Sequence, residues 1–469
     1  MRCPCLDRFF NATLTTVLVK ICVGGALLSA QPSPEVREIL DRLERLEQAN
    51  HALVQEIREL RKEIAVGRGV PGQPPPAAPA EETAEELNVL KARVEEMAQS
   101  KVEASQKLPV QLTGMVLFNA YVNGGNNGNF ENPTIASPVR GDATGGGTLR
   151  QTVLGLQFQS PRSVLGAKLD GSVFMDFFGG TSSSLNHLVR LRTATVSLNW
   201  ERTTVLVGQD KPLISPRDPN SYAQVGVSPL TNAGNLWLWQ PQVRVEQGFR
   251  IGRDSGLRAQ AAVIQTRQLE DGAYIGNNPY SPPIPVTPLI EHAQPGVEGR
   301  LEFWHRWGED RRIEIAPGFH TNESYVYSQS APSHIFSVDW FIKPATRFEF
   351  SGTFFNGQNV ASLGGLPQGF TIIRYARVIP VHSTGGWAQI RIPVTARLAF
   401  DIYGGQQDDR RSDLLYGAIG KNQAYAANAM YRIAPNVIVS VEGSQVRTTY
   451  IGIGNRLNNH YDLAVAYLF

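Results

Sequence analysis

The feature that most constrains this chain is an alternation of apolar and polar residues with a period of two. It begins near residue 112 and continues to the C-terminus. In residues 112–122 every second residue is apolar or Gly, while the opposite face ends in Asn119 and Tyr121, and the alternation recurs in residues 241–251 and 295–305. A period of two places successive side chains on opposite faces of a β-strand. The C-terminal part of the chain is therefore expected to form a sheet with one apolar and one charged face.

We count sixteen segments of this kind, an even number, as a closed bacterial barrel of antiparallel strands requires. They are residues 112–122, 151–160, 164–177, 190–200, 203–210, 241–251, 256–266, 295–305, 311–320, 334–343, 346–356, 385–393, 395–404, 420–433, 436–447 and 459–469.

The connections between these segments alternate in length. Short turns are expected at 160–163, 253–255, 343–346 and 434–436. Long loops rich in Gly, Asn, Pro and Ser are expected at 123–150, 210–240, 267–294, 357–384 and 448–458. Long loops at one end only are typical of outer-membrane barrels, whose periplasmic turns are short. After residue 30 the sequence lacks an apolar run of the roughly 18 residues that a membrane helix needs. We therefore predict an all-β fold, in which residues 109–469 form a 16-stranded transmembrane antiparallel β-barrel with both termini on the periplasmic side.

The C-terminus carries the most specific local signal. Tyr461, Leu463, Val465, Tyr467 and Phe469 form an apolar stripe of period two that ends on the terminal Phe, opposite Asp462, Ala464 and Ala466. This stripe resembles the terminal-strand signature by which outer-membrane barrels are recognised for assembly. Tyr467 and Phe469 are the residues predicted to carry that signal.

Residues 1–30 are expected to be a secretory signal peptide, because Arg2 and Arg8 precede an apolar stretch that ends before Gln31. Cys3, Cys5 and Cys22 all lie inside this segment. The mature chain would thus have no disulfide and no thiolate metal site.

Residues 31–66 show an unbroken heptad pattern, which predicts a coiled-coil helix in the periplasm and a homo-oligomer. A lone amphipathic helix packed on a core is the alternative interpretation. The seam consists of Val36, Ile39, Leu43, Leu46, Asn50, Leu53, Ile57, Leu60 and Ile64. Its residue types do not decide between a dimer and a trimer. The Pro/Gly-rich residues 67–80 predict an extended linker, and residues 81–108 a second, shorter helical segment.

The charge balance excludes a nucleic-acid-binding protein, since 44 Lys and Arg stand against 42 Asp and Glu. By region, residues 31–108 carry 11 basic and 15 acidic residues, and residues 109–469 carry 30 and 26. In the barrel region 26 of the 30 basic residues are Arg. This bias favours bidentate contacts to anions, although a GC-rich genome would produce it too.

The order of parts, together with four local stretches, resembles the DcaP-like trimeric porins and, more distantly, the phosphate-selective porins. The stretches are KLDGSVFMDFFGG at 168–180, VRLR at 189–192, GQ at 208–209 and WQPQVR at 239–244. The resemblance implies an outer-membrane homotrimer whose protomers each hold a water-filled pore, which passes small anionic solutes such as carboxylates. It also implies that the loop at 210–240 folds into the lumen. That loop carries Asp210, Lys211, Arg217 and Asp218, a constriction of mixed charge.

Strand parity directs a set of charged residues towards the lumen. The cations are Arg244, Arg258, Arg300, Arg312, Arg391, Arg397 and Arg432, and the carboxylates are Glu246, Glu298, Glu302, Glu314 and Asp401. They have two interpretations: the charges pair across neighbouring strands and only hydrate the lumen, or the cations leave a net positive constriction that selects anions. Arg190 and Arg192 share the parity of the apolar Ala194 and Val196. If that face meets lipid, the two arginines must lie at the rim or a β-bulge must intervene.

Other functions find less support in the sequence. No cofactor and no metal site are predicted, and we expect no enzyme, since the nucleophile-elbow, HExxH and P-loop patterns are missing. Asp408, Asp409 and Asp413 have the oxygen chemistry of a Ca²⁺ site, but Arg410 and Arg411 between them favour a solvated charge cluster. Two alternatives stay open: a structural tether to the cell wall that the barrel anchors, and a barrel-embedded hydrolase.

Overall fold

The structure is a computed structural model that describes residues 110–179, 187–223, 227–265, 294–308, 310–326, 329–373 and 377–469. The predictions for the signal peptide, the coiled-coil seam, the linker and the second helical segment lie outside the described residues. Within the described residues, no helix is long and apolar enough to cross a bilayer.

The described residues form nineteen β-strands and two short 3-10 turns, at Ala361–Leu363 and Arg411–Asp413. The strands are β1 Val110–Asn123, β2 Thr144–Thr148, β3 Val153–Gln159, β4 Lys168–Gly179, β5 Leu188–Asn199, β6 Thr203–Asp210, β7 Gln240–Arg250, β8 Ser255–Ile264, β9 Gln294–Trp307, β10 Arg311–Val326, β11 Gln329–Ala345, β12 Phe348–Gln358, β13 Phe370–Ile373, β14 Arg377–Pro380, β15 His382–Pro393, β16 Leu398–Asp409, β17 Ile419–Ala434, β18 Val437–Tyr450 and β19 Gly454–Leu468.

Seventeen of these strands form one antiparallel sheet that closes on itself, because β1 pairs with β19. β2 and β3 both pair with β1, β2 with its second half and β3 with its first half. They are two parts of one interrupted strand, so the barrel has 17 − 1 = 16 positions. The predicted 16-stranded antiparallel barrel is confirmed. Closure leaves no open sheet edge, which is what a spanning sheet needs in lipid.

The loop predicted at 448–458 is wrong. β18 extends to Tyr450 and β19 begins at Gly454, so the connection is a tight turn of three residues. Gly452 and Gly454 have φ values of 76° and 93°, the left-handed conformation that Gly adopts without steric cost. A stretch rich in Gly and Asn is typical of a loop, but here the glycines make a sharp reversal that lets the strands continue.

Other boundaries also differ from the sequence pattern, three of them in the connections. β4 begins at Lys168 and not at residue 164, so the turn predicted at 160–163 extends to residue 167. The long loops at 123–150 and 357–384 contain strands of their own, namely β2 and the hairpin of β13 with β14. All three segments are short or rich in Gly, and a short segment carries little periodicity.

The two faces of the barrel differ as the alternation predicts. On β19, Tyr461, Leu463, Val465 and Tyr467 are exposed on the outer surface, whereas Asp462, Ala464 and Ala466 are buried on the lumen side. The terminal Phe469 is also exposed, and its backbone amide and carbonyl both bond to Gly114 of β1. The terminal stripe thus faces outward at the seam where the barrel closes.

A β-bulge in β5 resolves the parity of its two arginines. Phe174 of β4 pairs with Thr193 and Met175 pairs with Leu191, so Arg192 is the extra residue of the bulge. Leu191 is exposed on the outer surface, whereas Arg190 and Arg192 both reach the buried Asp176 on the lumen side. Of the two solutions open in the sequence, the bulge is the one that occurs.

Candidate channel constriction

The segment between β6 and β7, residues 211–239, lies inside the barrel, and we call it the lumen loop. Its residues 211–223 and 227–239 are described. The amide of Leu213 donates to Glu298 of β9 at 2.6 Å, the amide of Asn220 donates to Gln389 of β15 at 2.6 Å, and the hydroxyl of Ser221 donates to Glu442 of β18 at 2.6 Å. The loop is therefore attached to the lumen face from β9 around to β18.

A charged side chain fixes the middle of the lumen loop. The Arg217 guanidinium donates to Asp339 of β11 at 2.5 Å and forms a second ion pair with Glu314 of β10. Asp339 in turn accepts hydrogen bonds from Arg300 at 2.7 and 2.8 Å. Arg217 is thus part of a cross-lumen network and is not a free cation.

The loop is also tied to itself. Lys211 forms an ion pair with Asp218, and the side chain of Asn235 donates to Asp218 at 3.0 Å. Burial raises the pKa of Asp218, but the Lys211 charge and the hydrogen bonds from Lys211, Ser228 and Asn235 outweigh it, so the pKa lies below the ordinary value. The carboxylate that closes the loop therefore stays ionised.

Five of the predicted lumen arginines have a carboxylate partner within 4.0 Å. Their pairs are Arg244 with Asp210 (3.2 Å) and Glu246 (2.9 Å), Arg258 with Glu302 (3.7 Å), Arg300 with Glu302 (2.9 Å) and Asp339 (2.7 Å), Arg312 with Glu314 (3.3 Å), and Arg391 with Asp401 (3.2 Å). Arg217 and Lys211 are paired as well. These pairs reduce the net charge that each cation presents to a solute.

Arg397 lies apart from this set. It is exposed in the turn between β15 and β16, and with Arg391 and Arg432 it lines a cleft of about 670 Å³ at the end of the barrel that carries the termini. Arg432 donates to the carbonyl of Pro435 at 2.5 Å. The residues predicted from parity therefore belong to two levels of the lumen, one at the lumen loop and one at the mouth.

The structure adds a cluster that the parity analysis missed, which we call the arginine–aromatic stack: Arg150, Phe178, Arg190, Trp239 and Arg192. The guanidinium of Arg150 lies 4.1 Å from the centre of the Phe178 ring. Arg190 lies 5.2 Å from the Phe178 ring and 5.2 Å from the Trp239 ring, and Arg192 lies 5.1 Å from Trp239. These distances are those of cation–π contacts.

Two carboxylates neutralise part of the stack. Asp176 accepts hydrogen bonds from Arg190 at 2.6 and 3.1 Å and lies 3.8 Å from Arg192, and Glu131 lies 3.4 Å from Arg150. Three guanidinium groups and two carboxylates leave a local charge of 3 − 2 = +1. The signal for this cluster was in the sequence, since two arginines at an outward parity on an apolar strand required an explanation.

A cavity of about 440 Å³ stays open between the lumen loop and the wall formed by β1, β3, β4 and β5. It is lined on the loop side by Asp218, Tyr222 and Trp237, and Arg192 and Lys211 also face it. The cavity thus combines two cations with aromatic surfaces. This combination can hold a passing anion by charge and its carbon skeleton by contact.

The opposite part of the lumen is packed. Ile214 and Leu236 of the lumen loop form a buried cluster with Phe355 of β12 and with Val360 and Leu363 of the loop that follows it. The amide of Leu238 donates to the carbonyl of Leu363 at 3.1 Å. The loop between β1 and β2 also enters the lumen, since the amide of Ala136 donates to the hydroxyl of Thr448 of β18 at 2.8 Å. These contacts pack this part of the lumen loop against the wall of the barrel.

The acidic residues near the far end of β16 do not converge on one point. Asp408 forms an ion pair with Lys421 at 3.3 Å, Asp409 accepts a hydrogen bond from Ser383 at 2.7 Å, and Asp413 accepts one from His382 at 2.7 Å. Across the part of the chain that the structure describes, no group of three or more His, Asp or Glu side chains is placed to hold a metal ion.

The barrel has the same fold as solved outer-membrane proteins, of which two are compared with it. The outer membrane channel DcaP of Acinetobacter baumannii superimposes with a TM-score of 0.60 at 16% sequence identity, over 77% of this chain and 97% of that chain. Salmonella typhi OmpF, in a complex with daunomycin, superimposes with a TM-score of 0.52 at 12% identity, over 77% of this chain and 97% of that chain. The resemblance to DcaP-like porins is thereby confirmed for the fold of the barrel. No protein-family model matches the chain, and no curated protein sequence matches it.

Proposed function

We propose that this protein is an outer-membrane porin, a water-filled channel through which small hydrophilic solutes diffuse passively, with a preference for anions such as small carboxylates. The observation that carries the proposal is the open cavity of about 440 Å³ beside the lumen loop, which Arg192 and Lys211 line. A selective channel must attract its ion without trapping it. Cations that are partly compensated by Asp176 and Asp218 meet that requirement.

The orientation follows from the lengths of the connections. The first and last described residues of the barrel both lie at the end of the cylinder that has the shorter turns. In outer-membrane barrels this end faces the periplasm. The long loops, including the one that becomes the lumen loop, then begin on the external side. The predicted coiled coil of residues 31–66 would lie in the periplasm.

A homotrimer is the proposed assembly, and the outer face of the barrel indicates the contact surface. On β1–β6 the exposed large side chains are almost all aliphatic; Phe118 is exposed on β1, and Trp200 is exposed in the turn after β5. On β7–β19 they include many aromatic residues, for example Phe249, Trp307, Tyr431 and Tyr467. Aromatic belts mark lipid interfaces, so the face with the fewest exposed aromatic residues is the one we assign to neighbouring subunits.

Reversal potentials across a planar bilayer under a KCl gradient test the anion preference. We expect anion selectivity in the unmodified protein and a large loss of it in the double variant R190Q/R192Q. A unit charge about 4 Å from a passing ion contributes about 1 kcal/mol in water, so loss of both charges lowers the permeability ratio of anion to cation roughly 30-fold. R410Q, which alters an exposed arginine in an outer loop, is the matched control. A cation-selective unmodified pore, or equal effects of R190Q/R192Q and R410Q, contradicts the proposal.

The tether and the hydrolase predict different results. Deletion of residues 31–108 should leave the conductance of the barrel intact if transport is its main role, whereas a tether has no need of conductance. A hydrolase should release product from ester or lipid substrates, and a channel should not.

A further inference from the structure

The turns at the end of the barrel that carries the termini share an exposed arginine. Among the described residues, six of the seven turns at this end contain or adjoin one. These residues are Arg162, Arg202, Arg253, Arg311, Arg347 and Arg397. The exception is the turn between β17 and β18. A ring of guanidinium groups therefore surrounds this end of the barrel.

Three neighbouring turns of the ring hold Arg253, Arg311 and Arg347, which we call the arginine arc. Among the described residues, none of these three has a carboxylate oxygen within 4.0 Å, although Asp254 and Asp310 lie beside them in sequence. Arg311 donates to the carbonyl of Trp307 at 3.3 Å. Within the part of the chain that the structure describes, the arc therefore presents guanidinium donors that no carboxylate occupies.

Aromatic residues on the outer surface indicate the depth of the arc in the membrane. Phe249 is 51% exposed, Trp307 43% and Phe348 45%, and each lies within about four residues of an arginine of the arc. Exposed aromatic residues at the ends of barrel strands mark the boundary between hydrocarbon and headgroups. Because a strand rises about 3.3 Å per residue, the arginines lie at the depth of the lipid phosphates.

We infer that the arginine arc binds the headgroups of acidic phospholipids in the inner leaflet of the outer membrane. The inference rests on the orientation given under the proposed function. A guanidinium forms paired hydrogen bonds with phosphate oxygens, and the acyl chains of the same lipid pack on the belt formed by Phe249, Trp307 and Phe348. The depth of the arc favours a lipid over the cell wall, which lies farther from the hydrocarbon.

Arg162 and Arg202 are left out of the arc because their turns follow β3 and β5, on the side of the barrel assigned to subunit contacts. Arg397 is left out because it lines the cleft at the mouth. The three residues of the arc have neither role, so their substitution should leave conductance unchanged.

Native mass spectrometry of protein taken from mixed micelles with equal amounts of phosphatidylglycerol and phosphatidylcholine tests the inference. We expect the unmodified protein to retain phosphatidylglycerol preferentially, and the triple variant R253Q/R311Q/R347Q to lose the preference. A basic residue near an anionic headgroup contributes about fivefold, so three of them together change the ratio on the order of 100-fold. The control is R140Q/R410Q/R411Q, which removes three exposed arginines from the opposite end and should keep the preference.

Several outcomes would overturn the inference. One is an unmodified protein that retains both lipids equally, and another is a control variant that loses the preference as far as the arc variant does. A third is cosedimentation with purified peptidoglycan that R253Q/R311Q/R347Q abolishes while lipid retention is unchanged, which would assign the arc to the cell wall. Conductance in a neutral bilayer is read separately, so failure of the channel proposal is distinguishable from failure of this one.

Discussion

At the scale of single residues, the pore wall depends on one inserted residue. Arg192 is the extra residue of the bulge in β5. Without it the strict alternation would direct Arg190 and Arg192 towards lipid, where an unpaired arginine costs several kcal/mol. The bulge turns both guanidinium groups to Asp176, which is almost completely buried. Bulges often redirect a side chain at a functional site, and here one brings two cations to the open side of the lumen.

The carboxylate that holds these arginines should limit the anion selectivity. Asp176→Asn removes one negative charge and preserves the shape of the side chain, so Arg190 and Arg192 become more available to a solute. We expect the permeability ratio of anion to cation to rise roughly fivefold, the effect of one unit charge at contact distance in water. Reversal potentials measure the change. Asp170→Asn is the matched control, since Asp170 lies on the same strand and its partner is Asn199, at 2.9 Å. A lower ratio in D176N would show that Asp176 does not restrain the arginines.

At the scale of elements, the lumen loop is held by polar contacts at its ends and middle and by apolar packing at its tip. Arg217 forms two ion pairs with the wall, and Leu230 and Ala233 pack against Trp387, Tyr403 and Ala426. Buried charged hydrogen bonds are costly to break, because the group left behind stays desolvated. The loop is thus a fixed constriction and not a mobile flap.

Substitution of Arg217 should loosen that constriction. Arg217→Ala leaves Glu314 and Asp339 without their loop partner, which weakens the loop attachment by about 1–3 kcal/mol. We expect larger and noisier single-channel currents. Arg312→Ala is the control, because Arg312 shares Glu314 with Arg217 but lies on the wall. Equal current noise in both variants would mean that Arg217 does not anchor the loop.

The tie between Lys211 and Asp218 makes a prediction about pH. The pKa of Asp218 lies below the ordinary value of 3.8, so the tie stabilises the folded loop fully above that value and is lost as the pH falls through the lowered pKa. From pH 7 down to 3.8 we expect this contribution to the conductance to stay constant. The Asp218→Asn variant lacks the carboxylate, so at pH 7 its conductance should equal that of the unmodified protein below the lowered pKa of Asp218. A neutral-pH recording of D218N that matches the unmodified protein would exclude a role for the tie.

The positions of the strands could be predicted from the sequence more completely than the contacts that form the constriction. Alternation located the sixteen barrel positions because a strand with one face in lipid must keep its period. The pairing of Arg217 with Asp339 and the contact of Trp239 with Arg190 join residues far apart in sequence, and no periodicity records such contacts. The bulge at Arg192 lay between these cases, since the sequence exposed a conflict there without solving it.

At the scale of the whole molecule, the barrel has two unlike walls. The wall of β1–β6 has an aliphatic outer face and no strand longer than the 14 residues of β1, while β10, β11 and β17 have 16, 17 and 16 residues. Arg190 and Arg192 lie on the lumen side of the wall of β1–β6. In a trimer built on that wall, the three anion pathways would lie on the side of each protomer that faces the threefold axis.

Single cysteines test which wall meets the neighbouring subunit. All three cysteines precede residue 31, so the predicted mature chain offers a background free of thiols. Val196→Cys places a thiol on the outer face of β5, and Val263→Cys places one at a similarly exposed position on β8, where the side chains are 46% and 50% exposed. With a short bismaleimide, V196C should give covalent oligomers and V263C only monomers, because thiols that face lipid find no partner. Denaturing gels separate the covalent oligomers from the monomers. If V263C cross-links in preference to V196C, the interface lies on the wall with the aromatic residues, and the arginines would not face the threefold axis.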